Sequence, residues 1–233
     1  MNEDKKETSI RIQTSILNGI EKKALIYLAN RQPQWMTSNI LTVIGMIGAI
    51  IISLGYILSR INLNYLWISS LGFVINWYGD SLDGTLARVR NRQRPVFGYY
   101  LDHTMDIVNE LFIFIGLGLS GLIHFELSLL LFIAYLMLTV NVSINAHLKK
   151  EFKLTYAGLG PTEFRVLAVL VNTTYIYSQA INSFTQSFSC FGKEIILTSF
   201  DLMGVFVLLI LFLMYIVTVI DDIRDYNKID PSF

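Results

Sequence analysis

This chain of 233 residues has too few cysteines for an intrachain disulfide bond and has no net charge. It contains one cysteine, Cys190, which excludes an intrachain disulfide. Lysine and arginine together number 18, as do aspartate and glutamate, so the net charge of zero gives no indication of a nucleic-acid partner. The sequence also lacks an internal repeat and a linker that would separate two domains. Because Met1–Arg11 is polar and no short apolar region with a cleavage site follows, we expect no cleavable signal peptide.

Apolar residues are abundant, at 53% of the chain, and give a mean hydropathy of +0.52. This composition is typical of an integral membrane protein. Because a helix of about 20 residues crosses the hydrocarbon, six apolar segments predict an all-α, polytopic membrane helix bundle with six transmembrane helices. The segments are Ile40–Leu58, Leu63–Tyr78, Tyr99–Leu122, Leu127–His147, Val166–Ser183 and Leu202–Ile220.

The residues before the first segment predict an N-terminal amphipathic helix that lies in the cytoplasmic membrane interface. Between Ile10 and Arg31, apolar residues recur at helical spacing and charged residues occupy the other side. An ordinary soluble helix is the alternative, but the membrane segment that follows closely favours the interface. Trp35 is typical of an interface anchor. The apolar residues are Ile16, Leu17, Ile20, Ala24, Tyr27 and Leu28, and the charged ones are Glu21, Lys22 and Lys23.

The basic residues are distributed unevenly between the loops. Sixteen of the 18 lie before the first segment, between the second and third, between the fourth and fifth, or after the sixth, while Arg60 and Lys193 lie on the other side. The positive-inside rule therefore predicts that both termini are cytoplasmic. The six segments and this orientation together divide the chain into a cytoplasmic N-terminal segment (residues 1–35), a six-helix transmembrane domain (residues 36–223) and a short cytoplasmic tail (residues 224–233).

Four carboxylates lie at or next to the ends of the second and third apolar segments. Asp80 and Asp83 are three residues apart and Asp102 and Asp106 are four apart, so on helices each pair shares one face. Unpaired carboxylates at a membrane edge are costly, and such a cluster is expected to bind cations. Two facing pairs would form an all-oxygen site for hard divalent ions. A purely structural cluster paired with arginines is the alternative.

The second segment is expected to continue as a helix through Ala87 into the cytosol. On that helix five residues form one stripe: Asp80, Asp83, Gly84, Ala87 and Arg88. Its small residues leave room for a flat ligand against the backbone, and Arg88 can hold a phosphate through two parallel hydrogen bonds. The first turns of the third segment carry two carboxylates and should lie in a protein-lined cavity rather than in lipid.

These residues resemble the signature of the CDP-alcohol phosphatidyltransferase family, D-x2-D-G-x2-A-R, a short gap, then G-x3-D-x3-D. Every fixed position is present: Asp80, Asp83, Gly84, Ala87, Arg88, Gly98, Asp102 and Asp106. One departure is that nine residues, Val89–Phe97, separate the two halves, one more than in familiar members. A non-catalytic membrane binding protein with an inactive motif is disfavoured, because no position is substituted.

The resemblance implies a role for each residue. The metal site, for two Mg²⁺ or Mn²⁺ ions, would consist of Asp80, Asp83, Asp102 and Asp106, of which Asp106 would also be the catalytic base. The CDP group would be seated by Asp80, Gly84, Ala87, Arg88 and Gly98. An acceptor hydroxyl would attack the phosphate next to the alcohol moiety of a CDP-alcohol and release CMP, in phospholipid biosynthesis at the cytoplasmic face. The family also implies a homodimer.

Two assignments of substrate stay open. In the first, CDP-diacylglycerol donates to a small polar alcohol, and Lys149 and Arg165 favour an anionic acceptor. A snorkelling anchor is the alternative for Arg165. In the second, CDP-choline or CDP-ethanolamine donates to a lipid alcohol, which the Leu-Asp-His sequence around Asp102 slightly resembles. Asn141 and Asn145 either line an acceptor cavity or form interhelical hydrogen bonds.

Four further polar residues are predicted to have structural roles or no chemistry. His103 lies on the helix face turned away from the aspartates, and Glu110 continues their stripe at greater depth, where a buried, hydrogen-bonded role is expected. His124 and Cys190 fall on the far side of the membrane from the motif.

Overall fold

The computed structural model of the protein describes residues 10–12, 16–148, 151–153, 160–190 and 193–230. Within these ranges the α-helices are α1 Asn18–Asn30, α2 Ser38–Leu58, α3 Leu66–Val89, α4 Pro95–Leu119, α5 Phe125–Leu148, α6 Pro161–Tyr177, α7 Gln179–Asn182 and α8 Ser199–Ile229. The strands are β1 Ile10–Ile12, β2 Glu151–Lys153, β3 Thr185–Cys190 and β4 Lys193–Thr198. A single 3-10 turn, Leu63–Tyr65, precedes α3.

The predominantly helical class predicted from the apolar segments is confirmed, since each segment overlaps one of the long helices. In the described part of the chain, α2, α5 and α8 are long and apolar enough to cross a membrane. Of the other long helices, α3 and α4 carry the motif carboxylates, and α6 has 17 residues. The count of six spans and the interfacial position of α1 stay predictions.

Two small sheets depart from the prediction. β1 pairs in parallel with β2, and α1 begins only at Asn18, so the amphipathic helix predicted from Ile10 is shorter than expected. β3 and β4 form an antiparallel hairpin in which Phe188 faces Ile195. Alternation of polar and apolar residues and β-branched side chains favour strands there. Because Ser178 adopts an extended backbone, α6 ends at Tyr177, before the predicted end of the fifth segment.

The antiparallel helices α2 and α3 are in backbone contact along a seam formed by Gly45, Gly48, Asn76 and Gly79. A Cβ atom added to Gly48 would lie less than 3.0 Å from backbone atoms of Asn76, and one added to Gly79 would overlap the backbone of Gly45. Asn76 Nδ2 donates to the carbonyl oxygen of Gly45 at 2.9 Å. The seam therefore fixes the position of α3 immediately before the carboxylates of the motif.

The end of α3 is held by Arg90, which contacts the connection between α1 and α2. Its guanidinium donates to the carbonyl oxygens of Gln32 and Pro33, both at 2.9 Å, and to that of Met36. These bonds provide hydrogen-bond donors for backbone carbonyl groups in the connection between the end of α1 and the start of α2. Arg90 thus has a structural role in addition to its contribution to the basic charge of this loop.

At the far end of the bundle, the fully buried Asp201 organises the start of α8. Its Oδ2 accepts from the Thr198 N–H at 2.8 Å and completes a capping box. Its Oδ1 accepts from the His124 N–H at 2.7 Å, and His124 Nδ1 lies 2.9 Å from Oδ2. His124 therefore joins the loop after α4 to α8, while the side chain of Cys190 lies outside the described residues.

Candidate functional site

Three of the four motif carboxylates converge between the end of α3 and the start of α4. Asp80, Asp102 and Asp106 each offer a carboxylate oxygen, and these oxygens lie within 4.8 Å of one another. All three residues are half-buried. The helical spacing predicted that Asp102 and Asp106 would share a face, and the packing of α4 turns that face toward Asp80. One compact acidic site results.

Asp83 is close to this cluster but is held by a different helix. Its Oδ2 accepts from the hydroxyl of Thr42 in α2 at 2.7 Å, and its Oδ1 accepts from the N–H of Gly84. The residue is 8% exposed. Ser38 also donates to the carbonyl oxygen of Asp83 at 2.9 Å. The structure thus groups three of the predicted ligands and places the fourth beside them, so the role of Asp83 as a ligand stays a prediction.

Arg165 of α6 reaches the acidic cluster. Its Nη2 lies 2.5 Å from Asp80 Oδ2, and its Nε donates to Asn76 Oδ1 at 2.9 Å. Its Nη1 is buried and has no hydrogen-bond partner among the described residues. The guanidinium therefore partly neutralises the carboxylates and keeps one unused donor, which does not fit a simple snorkelling anchor.

The start of α6 is fixed to α1 by two acidic side chains. Gly160 precedes the helix, and Glu163 Oε2 accepts from its N–H at 2.9 Å while Oε1 accepts from the Leu17 N–H at 2.8 Å. Glu21 Oε1 accepts from the Trp77 Nε1–H at 2.9 Å and from the Thr162 hydroxyl. Pro161 occupies the first turn, as expected from its fixed φ.

The predicted CDP-binding stripe follows the carboxylates along α3. Gly84 and Ala87 are half-buried, whereas Arg88 is exposed and its Nη2 donates to Thr85 Oγ1 at 2.9 Å. A Cβ atom on Gly84 would lie 3.3 Å from Arg88 Nη1, so the guanidinium lies over this glycine. A Cβ atom on Gly98 would have nothing within 4 Å. Space for a ligand is therefore open at the start of α4.

The asparagines of α5 make interhelical hydrogen bonds. Asn141 Nδ2 and Asn145 Nδ2 donate to Asp222 Oδ2 of α8 at 3.1 and 2.6 Å, and the Tyr226 hydroxyl donates to Asn145 Oδ1 at 2.6 Å. Of the two interpretations of these asparagines, the interhelical one is supported. Lys149, the other predicted acceptor residue, lies outside the described residues.

An open groove of about 430 Å³ lies between α4 and α5. Its lining is mainly apolar, with His103 and His147 among the lining residues. His103 stacks on Tyr99 at 4.0 Å between ring centroids, and its Nδ1 lies 3.0 Å from the Tyr99 carbonyl oxygen. These contacts agree with the structural role predicted for His103. Deeper in the bundle, Glu110 is buried as predicted, but its Oε2 has no hydrogen-bond partner in the described ranges, so the predicted buried, hydrogen-bonded role is only partly met.

The donor set suits a hard divalent cation. Carboxylate oxygens are the ligands that Mg²⁺ and Mn²⁺ prefer, and three of them lie within 4.8 Å of one another. Arg165 supplies positive charge to one of these carboxylates, that of Asp80. Asp80, Asp102 and Asp106 could therefore hold a divalent metal ion, and open space is present at Gly98 near the start of α4.

Several residues of the site were not predicted from the sequence. Thr42, Glu21 and Thr162 come from elements far from the motif in the chain, and no spacing pattern links them to it. Asn76 could have been predicted to belong to the site, since it is a polar residue within an apolar run and lies one helical turn before Asp80. A buried polar residue in that position is expected to bond across a helix interface.

Comparison with known proteins gives one family. The model of the CDP-alcohol phosphatidyltransferase family matches residues 35–220, which include α2 to α7 and most of α8. No individual curated protein sequence matches the chain. The matched region contains all eight motif positions together with Thr42 and Arg165. The protein is therefore an integral membrane enzyme that belongs to the CDP-alcohol phosphatidyltransferase family, whose members are phosphotransferases.

Proposed function

We propose that the enzyme transfers a phosphatidyl group from CDP-diacylglycerol to the hydroxyl of a small polar alcohol and releases CMP. The observation that carries this proposal is the convergence of Asp80, Asp102 and Asp106 from two helices, together with the open space at Gly98 near the start of α4. The lipid tails of the donor would stay in the bilayer while its headgroup reacts at the membrane surface. The groove between α4 and α5 has the apolar character that a lipid substrate requires.

The four aspartates would hold two Mg²⁺ or Mn²⁺ ions. When bound, the metal ions neutralise the diphosphate and stabilise the negative charge on the departing CMP. Asp83 would join the other three carboxylates from its position against Thr42. Gly84, Ala87 and Gly98 would let the cytidine and diphosphate approach the backbone, and Arg88 would turn from Gly84 to the phosphates.

Asp106 would remove the proton from the acceptor hydroxyl as that oxygen attacks phosphorus. The phosphorus–oxygen bond to CMP then breaks, and CMP leaves with the electron pair. A general base must lie within about 3 Å of the proton it removes. The position of Asp106 in the cluster, one helical turn from Asp102, supports this assignment.

Arg165 would recognise an anionic group on the acceptor. Its buried Nη1 has no protein partner in the part of the chain that the structure describes, and its Nη2 is paired with Asp80. A ligand phosphate within reach of Nη1 would supply the missing acceptor, and such charge-assisted bonds are strong. Lys149 is proposed to contribute to the same subsite. These residues favour an acceptor such as a glycerol phosphate or an inositol phosphate.

A second candidate function is transfer from CDP-choline or CDP-ethanolamine to a lipid alcohol. The residue that favours it is His103, which follows Asp102 and lines the apolar groove. In that reaction the groove would hold the lipid acceptor rather than the lipid donor.

The membrane arrangement completes the proposal. Six spans would place both termini and the aspartates on the cytoplasmic side, with α1 in the interface and the β3–β4 hairpin on the other side. A homodimer is proposed from family resemblance alone.

Release of labelled CMP tests the function directly. Purified enzyme with Mg²⁺ should release CMP from CDP-diacylglycerol only when a suitable alcohol is present, and phosphorylated alcohols should be preferred to neutral ones. Release from CDP-choline with diacylglycerol, and none from CDP-diacylglycerol with any alcohol, would establish the second candidate instead. An absence of release with every donor would contradict both.

A further inference from the structure

We propose that Glu21 is a positioning residue for the reaction, which sets the alignment of α3 and α6 and thereby holds Arg165 against Asp80. The inference rests on the role proposed above for Arg165 in acceptor binding. Glu21 is 9% exposed, although it belongs to a helix at the edge of the protein. A buried carboxylate is costly unless it is paired or hydrogen-bonded, so its donors are essential to its position.

The two donors to Glu21 come from the two elements that carry the ion pair. Trp77 lies on α3 three residues before Asp80, and Thr162 lies on α6 three residues before Arg165. Three residues along a helix correspond to a rise of about 4.5 Å, nearly one turn. The two helices are antiparallel, since Arg165 bonds to Asn76 and Asn172 bonds to Ser70. Trp77 and Thr162 therefore lie on opposite axial sides of the ion pair, and one carboxylate oxygen of Glu21 joins the two helices diagonally across its level.

The same two helices are joined again at the ion pair itself. Arg165 Nε donates to Asn76 Oδ1 at 2.9 Å, and its Nη2 lies 2.5 Å from Asp80 Oδ2. The Glu21 link and the ion pair together fix both the separation and the axial alignment of the helices. Loss of the Glu21 link would let the start of α6 shift. The planar guanidinium of Arg165 would then no longer reach both Asn76 Oδ1 and Asp80 Oδ2 at hydrogen-bond distance.

Helix α1 is built to keep Glu21 in this place. Its buried face consists of Glu21, Leu25 and Ala29, which recur at four-residue spacing. The backbone N–H of Leu17, just before α1, donates to Glu163 Oε1 of α6 at 2.8 Å. This is a second link between the two elements, and here the acceptor carboxylate belongs to α6 instead of α1. An alanine or leucine at position 21 would suffice for simple packing, whereas a carboxylate that accepts from two elements indicates a positional role.

Kinetics of Glu21→Gln and Glu21→Ala, in the intact enzyme in lipid nanodiscs, test the proposal. We expect KM for the acceptor to rise by roughly fivefold to thirtyfold in Glu21→Ala, and by less in Glu21→Gln, as for residues coupled through a shared contact. KM for the CDP-alcohol should change by less than about twofold, since α3 and its donor-binding residues are also held by the seam with α2 and only the start of α6 shifts. Asn30→Ala, an exposed substitution on the same helix, is the control and should have no effect.

A double-mutant cycle separates positioning from general destabilisation. In an Arg165→Ala background, Glu21→Ala should cause no additional rise in the acceptor KM, because the side chain through which it acts is gone. Trp77→Phe and Thr162→Val each remove one donor while keeping the shape, and both should raise the acceptor KM in the same direction. If Glu21→Ala does not fold, these two variants decide the question.

Hydrogen exchange supplies a readout that does not depend on activity. The peptide that covers residues 160–170 should exchange faster in Glu21→Gln than in wild type. Additive effects of Glu21→Ala and Arg165→Ala, or equal rises in KM for donor and acceptor, would overturn the positioning role and leave a purely structural one. If wild-type enzyme releases no CMP, the proposed function fails, whereas unchanged exchange in Glu21→Gln overturns the positioning inference separately.

Discussion

The hydroxyl of Thr42 in α2 lies 2.7 Å from Oδ2 of Asp83 in α3. The same hydroxyl lies 3.1 Å from the Ser38 carbonyl oxygen, so its rotation is restricted by its own helix. One motif carboxylate is therefore oriented by a helix outside the motif. Such outer contacts set the direction of a ligand and contribute to metal affinity.

Substitution of Thr42 by valine should lower the affinity of the enzyme for Mg²⁺ without abolishing the reaction. Valine has the shape of threonine but no hydroxyl, so Asp83 loses its oriented donor. Loss of an outer contact of this kind typically costs ~10–100-fold in metal affinity or activity. We expect the Mg²⁺ concentration for half-maximal activity to rise by about tenfold. Thr173→Val is the matched control, because the Thr173 hydroxyl bonds only within α6, to the Val169 carbonyl oxygen; an equal shift in both variants would contradict the role of Thr42.

Chelation should abolish turnover, and added Mg²⁺ or Mn²⁺ should restore it. Asp83→Asn and Asp102→Asn should each lose most activity, because each removes a charged oxygen from a site for hard cations. Labelled CMP release with and without EDTA measures both effects. Full activity in the presence of the chelator would exclude the metal-dependent reaction.

Asp106→Asn should separate chemistry from donor binding. Removal of a general base typically costs ~10²–10⁴ in rate, so turnover should fall by that amount while affinity for the CDP-alcohol is largely retained. Asp80→Asn should instead weaken donor binding. The measurement is turnover together with donor affinity for both variants. Equal loss of donor affinity in the two variants would make Asp106 chiefly a metal ligand.

Cysteines introduced before α8 and near its end should be labelled by a membrane-impermeant thiol reagent from opposite sides of the membrane. Since the chain has one cysteine, Cys190→Ser gives a background free of thiols. Glu194→Cys in the hairpin should be labelled from outside intact cells, and Lys228→Cys only after permeabilisation. Labelling of Lys228→Cys in intact cells would overturn the orientation and the cytoplasmic location of the site.

Gly48→Ala should destabilise the enzyme because the added methyl group meets the backbone of Asn76 at less than 3.0 Å. Overpacking of this kind typically costs about 1–3 kcal/mol. A lower thermal unfolding midpoint in detergent is the expected result. Gly19→Ala in α1 is the control, since a Cβ atom there has nothing within 4 Å. Equal midpoints for the two variants would show that α2 can move away from α3.

Much of the site could be predicted from the sequence because its essential residues are local. The aspartates lie within two short helical stretches, and helical spacing alone decides which of them share a face. The start of α6 at Pro161 also follows from local chemistry, whereas α4 begins at Pro95, four residues before the predicted third segment. Both α3 and α4 pack against α2, which brings the two carboxylate-bearing stretches together.

The contacts between distant elements could not be predicted in the same way. Thr42 and Asp83 are 41 residues apart, and Glu21 and Thr162 are 141 apart, so no local pattern relates them. The hairpin of β3 and β4 was missed because it lies between the fifth and sixth apolar segments, where the search for membrane-spanning hydrophobic runs assigns no element.

The glycine seam between α2 and α3 determines where this enzyme tolerates a change in chain length. One residue inserted between Gly72 and Arg88 would rotate everything beyond it by about 100°. Either a side chain would be forced into the seam, or the aspartates would turn away from α4. The five residues from Arg90 to Arg94, between the two helices, face no such restriction, since all but the first are exposed. The additional residue that separates the two halves of the motif is therefore accommodated in the connection after α3, and the spacing inside each half stays invariant.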